Sequence, residues 1–580
     1  MSVPDASAPL SPPQRAVPLP IAMQELGRRL VSQGLLTRNQ LEDVLSRAAL
    51  LGQELDQILT GEGLIPEDHI LELLAEISRI PLRPIAQFTI TQEIAHKVSA
   101  HTALHYRIIP VEFADGAMTI AASRLHDGAE QESLQMLTGG TVRWVLCKRS
   151  DIDEAIKHFY GIGADLVGDL GAARAKAVET DGVAAETEGP GVAKLISEII
   201  HEAILMNASD IHIEPYEGRL ALRYRVDGVL CRIPLPEDSH RLTRSIVSHI
   251  KVLAQLNITE RRLPQDGRIS TTFGDEKFDI RVSILPTQHG ESVNMRILNR
   301  KTTFLNLQQL GILPHQMPPL ERLMSLSHGL VLITGPTGSG KTTMLYAQLA
   351  RIRTDNISVV TIEDPVEYQM DGILQIQTHA DVGLDFATGL RSVLRHDPNV
   401  ILIGEIRDTE TADIAIKSSL TGHLVFSTLH TNDSTGAVAR LVDMGIEPYL
   451  VASSLEGVVA QRLLRRVCPS CKEPARVPEP ILQEIDQVLP GRVAAATFLQ
   501  GRGCPDCKYT GYKGRCGIFE ILSVSDALRL MVVQGESSDA IRKHAVQEGM
   551  EPLRVNGWRI AMDGGTSVSE VLRVTHAERL

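Results

Sequence analysis

The chain has 580 residues, too many for one hydrophobic core, and the usual domain size of about 100–200 residues predicts several domains. Hydrophobic residues make up 43% of the chain and charged residues 22%, and no apolar run approaches the roughly 18 residues of a membrane-spanning helix. The formal net charge of −13 argues against nucleic acid as a main ligand, because a phosphate backbone is bound through basic surfaces. These properties predict a multidomain protein without a transmembrane span and without nucleic acid as a partner.

The N-terminal part of the chain changes character twice. Residues 1–20 are rich in Pro and Ala and lack the basic and apolar regions of a signal peptide, which predicts a disordered lead-in and a cytoplasmic location. Two apolar patterns then repeat at an offset of 29 residues, so that Leu26 corresponds to Leu55, and each copy predicts a pair of helices. Short β-like runs follow these helices, and we predict an N-terminal domain over residues 21–160, first helical and then α+β.

The middle of the chain contains a linker and two α/β regions. Residues 161–190 are rich in Gly, Ala, Asp and Glu without periodicity, which predicts a linker. A helical apolar stripe followed by alternating strands predicts an α/β domain over residues 191–305. Strands and helices continue to alternate over residues 306–460, as expected of a parallel sheet that binds its ligand at the carboxyl ends of the strands.

A glycine-rich loop lies between the apolar run 330–334 and the helix-like segment 343–350. Its glycines let backbone N–H groups converge on phosphates, Lys341 brings positive charge toward the β- and γ-phosphates, and the hydroxyl of Thr342 can ligate Mg²⁺. We therefore predict a site for a nucleoside triphosphate and Mg²⁺. The residues predicted to bind the nucleotide are Gly335, Pro336, Thr337, Gly338, Ser339, Gly340, Lys341, Thr342 and Thr343.

Two further apolar runs end in acidic residues, and a third ends in histidine. Glu363 follows the run 357–360, and Glu405 follows a strand-like run in the Walker B pattern that holds Mg²⁺ or its water ligands. A carboxylate at this edge can also activate water. His423 and His430 lie near opposite ends of the next predicted strand, and one of them is a candidate sensor of the γ-phosphate, although a single histidine is more often structural.

Four of the seven cysteines form two C-x2-C pairs, which predict a closed structural zinc site. The alternative is a reduced, metal-free state. The segment between the pairs is longer than a compact zinc ribbon, so we expect Zn²⁺ to staple a helical excursion over residues 461–520, followed by a helical C-terminal region over residues 521–580. The predicted zinc ligands are Cys468, Cys471, Cys504 and Cys507.

These motifs occur in an order that resembles the secretion ATPases. The glycine-rich loop is followed by a segment with acidic residues at 363–367 and by a segment with arginines and a histidine at 390–398. The Gly-Glu-Ile-Arg-Asp motif at 404–408 and the segment 423–430 come next. The chain resembles the type II secretion and type IV pilus assembly ATPases, the GspE/PilB group, from about residue 24 to the C-terminus. The resemblance implies a multidomain α/β protein with a RecA-like P-loop core of the additional-strand class, a preceding PAS-like α/β domain, and a homohexamer that hydrolyses ATP.

The resemblance also implies roles for individual residues. Glu363 is implied as the general base and Glu405 as the support of Mg²⁺, and the two roles can be exchanged. The domain over residues 191–305 is implied to supply arginine fingers, with Arg244 as an alternative to Arg241. Assembly-type members carry the four-cysteine insertion and retraction-type members lack it, which favours zinc and disfavours a retraction motor. The residues implied to act in catalysis are Glu363, Glu405, Arg225, Arg241 and His430.

The N-terminal repeat resembles a family module that binds cyclic di-GMP in some members through an Arg-Leu-Gly motif and a later Gln in each copy. Here Glu25 and Glu54 replace the two arginines, and Ala48 and Ile77 stand where glutamine is expected. Because a negative side chain repels a phosphate, we expect no cyclic di-GMP binding. We expect instead that this region docks onto the cytoplasmic part of a membrane-anchored secretion protein.

The resemblance implies a cytoplasmic ATPase held at the inner membrane by protein partners. It would act on an inner-membrane platform protein, power pseudopilus assembly and drive protein export across the outer membrane. Residues 367–373 and 445–450 resemble the type II secretion branch more closely than the pilus branch. A type IV pilus assembly ATPase is the alternative, and a nucleotide-binding scaffold that does not hydrolyse ATP is the alternative from a different class.

Overall fold

The fold is known from a computed structural model of the chain, which describes residues 19–51, 55–61, 63–138, 140–161, 190–235, 237–299 and 306–575. Most of the predicted lead-in and linker lie outside the described residues. The chain divides into two units, residues 1–299 and 300–580, which are described in turn. No helix of the described residues combines the length and the apolar character that crossing a membrane requires.

The first unit begins with the two predicted helix pairs. Leu26 and its counterpart Leu55 are both buried in one shared core, as the helical spacing requires. Thr37 starts the second helix, since Gln40 N–H donates to its Oγ1 at 3.3 Å while its own N–H donates to Gln40 Oε1 at 2.9 Å. The copies are not equivalent, because Leu45 is 47% exposed. The four helices are α1 (Leu19–Ser32), α2 (Arg38–Leu51), α3 (Leu55–Gly61) and α4 (Glu67–Ser78).

An α+β region follows these helices, as predicted. Its three strands form a sheet in the order β1-β2-β3, in which β1 and β2 are antiparallel and β2 and β3 are parallel. The elements are α5 (Gln92–Ala95), α6 (Ala100–Tyr106), β1 (Ile108–Ala114), β2 (Ala117–Ala122), α7 (Gly128–Thr138), β3 (Thr141–Leu146) and α8 (Arg149–Tyr160).

The first unit ends with a six-stranded antiparallel sheet in the order β6-β5-β4-β9-β8-β7. The predicted stripe of Leu195, Ile199 and Ala203 is buried against this sheet, in one core with residues of a second helix. The elements are α9 (Pro190–Leu205), β4 (Ala208–Tyr216), β5 (Arg219–Val226), β6 (Val229–Ile233), α10 (Thr243–Leu253), β7 (Gln265–Phe273), β8 (Glu276–Thr287) and β9 (Gly290–Asn299).

The second unit is built on a seven-stranded sheet in the order β12-β11-β13-β14-β10-β15-β18. All neighbours are parallel except the last pair. Alternate residues of β10 enter separate cores on the two faces, so this strand is apolar throughout. The strands are β10 (Gly329–Thr334), β11 (Val359–Glu363), β12 (Leu374–Gln377), β13 (Val400–Ile403), β14 (Leu424–Leu429), β15 (Leu455–Val467) and β18 (Tyr512–Ser523).

Helices cover both faces of this sheet. A small two-stranded sheet, β16 (Lys472–Pro474) and β17 (Leu499–Gly501), lies in the segment between β15 and β18. The sheet strands β15 and β18 extend past the predicted limits at residues 460 and 520. The helices are α11 (Met317–Met324), α12 (Lys341–Ile352), α13 (Phe386–Val393), α14 (Thr409–Leu420), α15 (Ser434–Asp443), α16 (Pro448–Ser454), α17 (Glu479–Val488), α18 (Asp526–Val533), α19 (Ser538–Gln547), α20 (Leu553–Met562) and α21 (Val568–Val574).

Candidate nucleotide site and tetracysteine cluster

The glycine-rich loop joins the end of β10 to the start of α12. Gly335 and Gly340 have φ angles of 149° and 88°, which residues with side chains rarely adopt. A Cβ atom on Gly335 would lie 2.5 Å from the carbonyl oxygen of Gln461, and one on Gly340 would lie 2.9 Å from Nε2 of the same residue. The backbone of β15 at Gln461 therefore requires glycine at position 335, and the positive φ favours glycine at position 340.

Lys341 is the first residue of α12. Its Nζ donates to the carbonyl oxygens of Gly335 and Pro336, at 2.7 and 3.2 Å. Burial lowers the pKa of Lys341; the charge of Glu405 opposes this shift and the charge of Arg462 adds to it. An ammonium group held against the loop at a helix N-terminus fits a polyphosphate ligand.

The other loop residues divide into buried and exposed groups. Ser339 Oγ is buried and has no hydrogen-bond partner among the described residues, so a donor is available at the loop. Thr342 is exposed in the first turn of α12, where its hydroxyl suits a magnesium ligand, whereas Thr343 hydrogen-bonds Tyr368. The predicted residues on the exposed outer part of the loop are Pro336, Thr337 and Gly338.

Glu405 lies just beyond β13, among three cationic or ionisable groups. Arg407 Nη2 donates to its Oε1 at 2.5 Å, and His430 Nε2 lies 3.3 Å from its Oε2. Burial opposes ionisation of this carboxyl, but the Arg407 hydrogen bond and charge, followed by His430, lower the pKa of Glu405 below its ordinary value. Glu405 is therefore a carboxylate, and its charge acts on Lys341.

Glu363 lies at the end of β11 in a different environment, only 4% exposed. The hydroxyl of Tyr346 donates to its Oε2. Its Oε1 accepts from Thr361 Oγ1 at 2.7 Å and from Gln375 Nε2 at 3.1 Å. Both oxygens of this acid are thus engaged, and one of them ties β11 to α12, the helix that follows the phosphate loop.

The strand β14 separates the phosphate-loop strand β10 from β13. Its carboxyl end is joined to that of β10, because the Oγ1 atoms of Thr334 and Thr431 lie 2.6 Å apart. His430 follows β14 at this end and meets Glu405, whereas His423 precedes the strand and places Nδ1 3.0 Å from the carbonyl oxygen of Ser418. Of the two predicted sensors, His430 is the one beside the acid.

The predicted arginine fingers belong to the first unit. Arg225, on β5, places Nε 3.6 Å from Asp210 Oδ2 and donates from Nη1 to the carbonyl oxygen of Gly228 at 3.2 Å. Arg241 is exposed in a short 3₁₀ segment before α10, and Arg244 is exposed in the first turn of that helix. Their action on the nucleotide stays a prediction.

The four predicted zinc ligands converge. Their sulfur atoms all lie within 4.8 Å of one another, and the pairs Cys468–Cys504 and Cys471–Cys507 are each 3.8 Å apart. Backbone N–H groups point at the sulfurs, including Gly503 N to Cys471 at 3.3 Å. Four converging sulfurs supplied with N–H donors fit a tetrahedral structural zinc, and α17 lies in the excursion between the two pairs.

Several residues at the nucleotide site were missed by sequence reasoning. Gln461 lies against the phosphate loop, the charge of Arg462 acts on Lys341, Tyr346 holds Glu363, and Arg407 holds Glu405. A usable signal exists for the first two, because polar residues follow the apolar start of β15 just as Glu405 follows β13. Which strand lies beside the loop is fixed only by the sheet order.

A phosphate loop, an intervening parallel strand, and an acid and a histidine at the carboxyl edge of one sheet define a P-loop ATPase of the additional-strand class. Comparison with known families gives the particular family. Residues 185–573 match the profile described as Type II/IV secretion system protein, and residues 78–166 match the MshEN domain. The chain belongs to the Type II/IV secretion system protein family, which confirms the resemblance read from the motifs.

Similar proteins span nearly the whole chain. The Type IV pilus assembly ATPase PilB of Myxococcus xanthus is 39% identical over 96% of this chain and 99% of its own length. The Type II secretion system protein E of Xanthomonas campestris pv. campestris is 40% identical over 94% of this chain and 98% of its own length. Among solved structures, the Legionella pneumophila ATPase DotB has a TM-score of 0.49 and 19% identity, covering 69% of this chain and 98% of that chain.

Proposed function

We propose that the protein is the ATP-hydrolysing motor of a type II secretion system, which powers pseudopilus assembly and protein export across the outer membrane. The observation that carries this proposal is the meeting of Lys341, Glu405 and His430 at one edge of the sheet. The relative named Type II secretion system protein E supports the secretion output. Type IV pilus assembly is the second candidate, favoured by the relative named PilB.

The phosphate loop is proposed to bind ATP through residues 335–343. Lys341 would neutralise charge on the β- and γ-phosphates, and the hydroxyl of Thr342 would hold Mg²⁺. When bound, Mg²⁺ supplies positive charge that favours phosphoryl transfer to water. The backbone amides at the start of α12 add the favourable end of a helix dipole.

The contacts favour roles for the two acids that differ from those implied by the resemblance. Glu405 is ionised, half-buried and next to His430, so we assign it to orienting and deprotonating the attacking water. Glu363 is only 4% exposed and is held by Tyr346 of the phosphate-loop helix, whereas the side chain of Glu405 is 18% exposed. We therefore assign Glu363 to positioning that helix. His430 would then report the state of the γ-phosphate to Glu405.

The proposed active form is a homohexamer, with arginine fingers supplied by the α/β domain over residues 191–305. Arg225 and Arg241 are proposed as arginine fingers, which stabilise the negative charge of the transition state. Asp210 would orient the Arg225 side chain through their ion pair, and its other oxygen accepts a hydrogen bond from Arg296 at 2.9 Å. Arg244 is retained as the alternative to Arg241.

The N-terminal domain is proposed to dock onto the cytoplasmic part of a membrane-anchored secretion protein, and the motor would act on an inner-membrane platform protein. The MshEN match over residues 78–166 supports an apparatus-facing role for this part of the chain. Cyclic di-GMP is not proposed as a ligand, because Glu25 carries negative charge where the binding module has arginine; Glu54 lies outside the described residues. The protein is proposed to lie at the cytoplasmic face of the inner membrane, where protein partners hold it.

The four cysteines are proposed to hold a structural zinc ion. Four protein sulfurs complete a tetrahedral set, which leaves zinc no open position for catalysis. The ion would close the excursion between β15 and β18, two strands that pair over most of their length. Zinc therefore belongs to the stability of the motor and has no step in ATP hydrolysis.

The test compares ATP hydrolysis by the zinc-loaded full-length protein and its Lys341→Ala variant, with molar mass measured by light scattering with and without nucleotide. Lys417→Ala is the matched control, because Lys417 is exposed on α14 and pairs with Asp413 of the same helix. We expect turnover that rises with hexamer formation, persists in the control and disappears in Lys341→Ala. ATP binding without turnover in assembled hexamers would favour the scaffold alternative.

The output is tested by deleting the gene in its native host. Loss of secreted proteins from the medium with pili retained would support type II secretion. Loss of pili with secretion retained would support the second candidate. Complementation with the wild-type gene and with the Lys341→Ala variant separates an effect of the motor from an effect of the missing protein.

A further inference from the structure

The strand β15 runs beside the phosphate loop and carries two polar residues there. Its parallel register places Ala460 opposite Thr334, the last residue of β10. The next residues of β15, Gln461 and Arg462, therefore continue alongside the loop where it leaves β10. The carbonyl oxygen of Gln461 lies where a side chain at Gly335 would have to go.

Gln461 forms a buried wall of the loop. Gln461 is only 2% exposed, and its Nε2 closely approaches Gly340. Its Oε1 and the Oγ of Ser339 are both buried without a hydrogen-bond partner among the described residues. Gln461 is thus a positioning residue, which fixes the distance between β15 and the loop.

Arg462 brings a second cation to the loop. Its Nη2 donates to the carbonyl oxygen of Asn432 at 2.9 Å and lies 3.2 Å from Asn432 Oδ1. Asn432 comes two residues after His430, the residue that contacts Glu405. The guanidinium therefore links β15 to the end of β14 that carries the proposed sensor.

The charges of Arg462 and Lys341 act on each other. Two cations near one partly buried loop repel each other, and the charge of Glu405 acts on Lys341 in the opposite sense, more strongly than that of Arg462. A bound polyphosphate would remove the repulsion. Since the charge added on going from ADP to ATP is at the terminal phosphate, a second cation beside that phosphate would discriminate between the two nucleotides.

We propose that Arg462 is a binding residue for the γ-phosphate of ATP, held in place by Asn432 and positioned by Gln461. This inference rests on the proposed nucleotide site and adds to it a residue that distinguishes ATP from ADP. Lys341 and the loop amides hold the phosphates from the α12 side. Arg462 approaches from β15, tied to the segment that follows His430.

The experiment measures equilibrium binding of ADP and of the β,γ-imido analogue of ATP, each with Mg²⁺, to the full-length protein. In Arg462→Ala we expect the affinity for the ATP analogue to fall by about tenfold or more, as for loss of a charge-assisted hydrogen bond. The affinity for ADP should change by less than about twofold. Arg466→Ala is the matched control, because Arg466 is exposed further along β15 and donates to the carbonyl oxygen of Arg515.

Arg462→Lys keeps the charge and is expected to recover part of the affinity lost in Arg462→Ala. This recovery would distinguish the loss of a positive charge from a folding defect of the alanine variant. Equal weakening for both nucleotides, or no weakening, would overturn the assignment of Arg462 while leaving the nucleotide site in place. A wild-type protein that binds neither nucleotide would overturn the proposed function itself, and this inference with it.

Discussion

Replacing Glu570 by glutamine is expected to destabilise the C-terminal part of the second unit strongly. The side chain of Glu570, on α21, is fully buried. Its Oε2 accepts from Arg465 of β15 and from Arg573, each at 2.8 Å, and its Oε1 accepts from the Arg465 backbone N–H at 3.1 Å. Glutamine keeps the shape of this side chain but removes the charge that pairs with both guanidinium groups.

The magnitude follows from the titration of this carboxyl. Burial works against ionisation, yet the hydrogen bonds from Arg573 and Arg465 lower the pKa of Glu570 from 4.5 to about 2. At 1.36 kcal/mol per pKa unit, the difference between these two pKa values corresponds to about 3 kcal/mol of folding stability. Because the folded pKa is depressed, this stability is present above about pH 4.5 and is lost as the pH falls through 2. The Glu570→Gln difference should therefore be about 3 kcal/mol at pH 7 and about 1 kcal/mol at pH 3.

The assay is urea unfolding followed by the fluorescence of Trp558, which lies in the same core as Val571 of α21. The chain has two tryptophans, so Trp144→Phe serves as the common background. Glu479→Gln is the matched control, because Glu479 is exposed in the first turn of α17, and it should change the free energy of unfolding by less than about 0.5 kcal/mol. A Glu570→Gln effect below about 1 kcal/mol at pH 7, or one of equal size at pH 3, would refute the reasoning.

Three further outcomes are expected. Zinc content should equal the chain concentration, and Cys471→Ser or chelation should lower the temperature of the C-terminal unfolding transition; an unchanged transition would remove zinc from the stability argument. Glu405→Gln should lower kcat at least about a hundredfold while ATP stays bound, whereas Glu363→Gln should lower kcat less and thermal stability more; equal kinetic losses would contradict the roles assigned to the two acids. Burial lowers the pKa of His126 from 6.5 to about 4, so the unfolded chain takes up a proton at this residue before the folded domain does. The free energy of unfolding of the N-terminal domain should therefore fall by about 2 kcal/mol as the pH falls from 8 to 5. His126→Gln should remove that dependence, read by fluorescence of Trp144, whose ring centroid lies 5.0 Å from that of His126.

The features that could be predicted from the sequence are those written in a short stretch of chain. The phosphate loop needs only the strand before it and the helix after it, so Lys341 could be placed from its motif alone. The cysteine pairs predicted a site because a spacing of two residues brings each pair of sulfurs together, and α17 fits the length of the segment between them. Element periodicity also predicted the buried stripe of α9, since apolar spacing reports burial wherever one face meets a core.

The features that could not be predicted depend on contacts between distant segments. Glu363 was predicted to be the general base because it ends a strand at the correct edge of the sheet. The position of a residue at a strand end does not determine which way its side chain turns. Its hydrogen bond from Tyr346 depends on how α12 packs over β11. Leu45 carries the same apolar signal as its buried repeat counterpart Leu74, yet it is exposed, because internal repetition does not give both copies the same neighbours.

One strand connects the parts of the second unit that sequence reasoning treated separately. β15 is 13 residues long and is paired with β10 on one side and β18 on the other. Arg462 contacts Asn432 and acts on the charge of Lys341, Arg465 reaches the buried Glu570, and the strand ends directly before Cys468. The strand is paired with β10 up to Ala460 and with β18 up to Val467, so Arg462 lies between its pairing with β10 and the ion pair of Arg465 with Glu570. Because the tetracysteine cluster begins where this strand ends, we expect that loss of the cluster would weaken the strand that forms a wall of the nucleotide site.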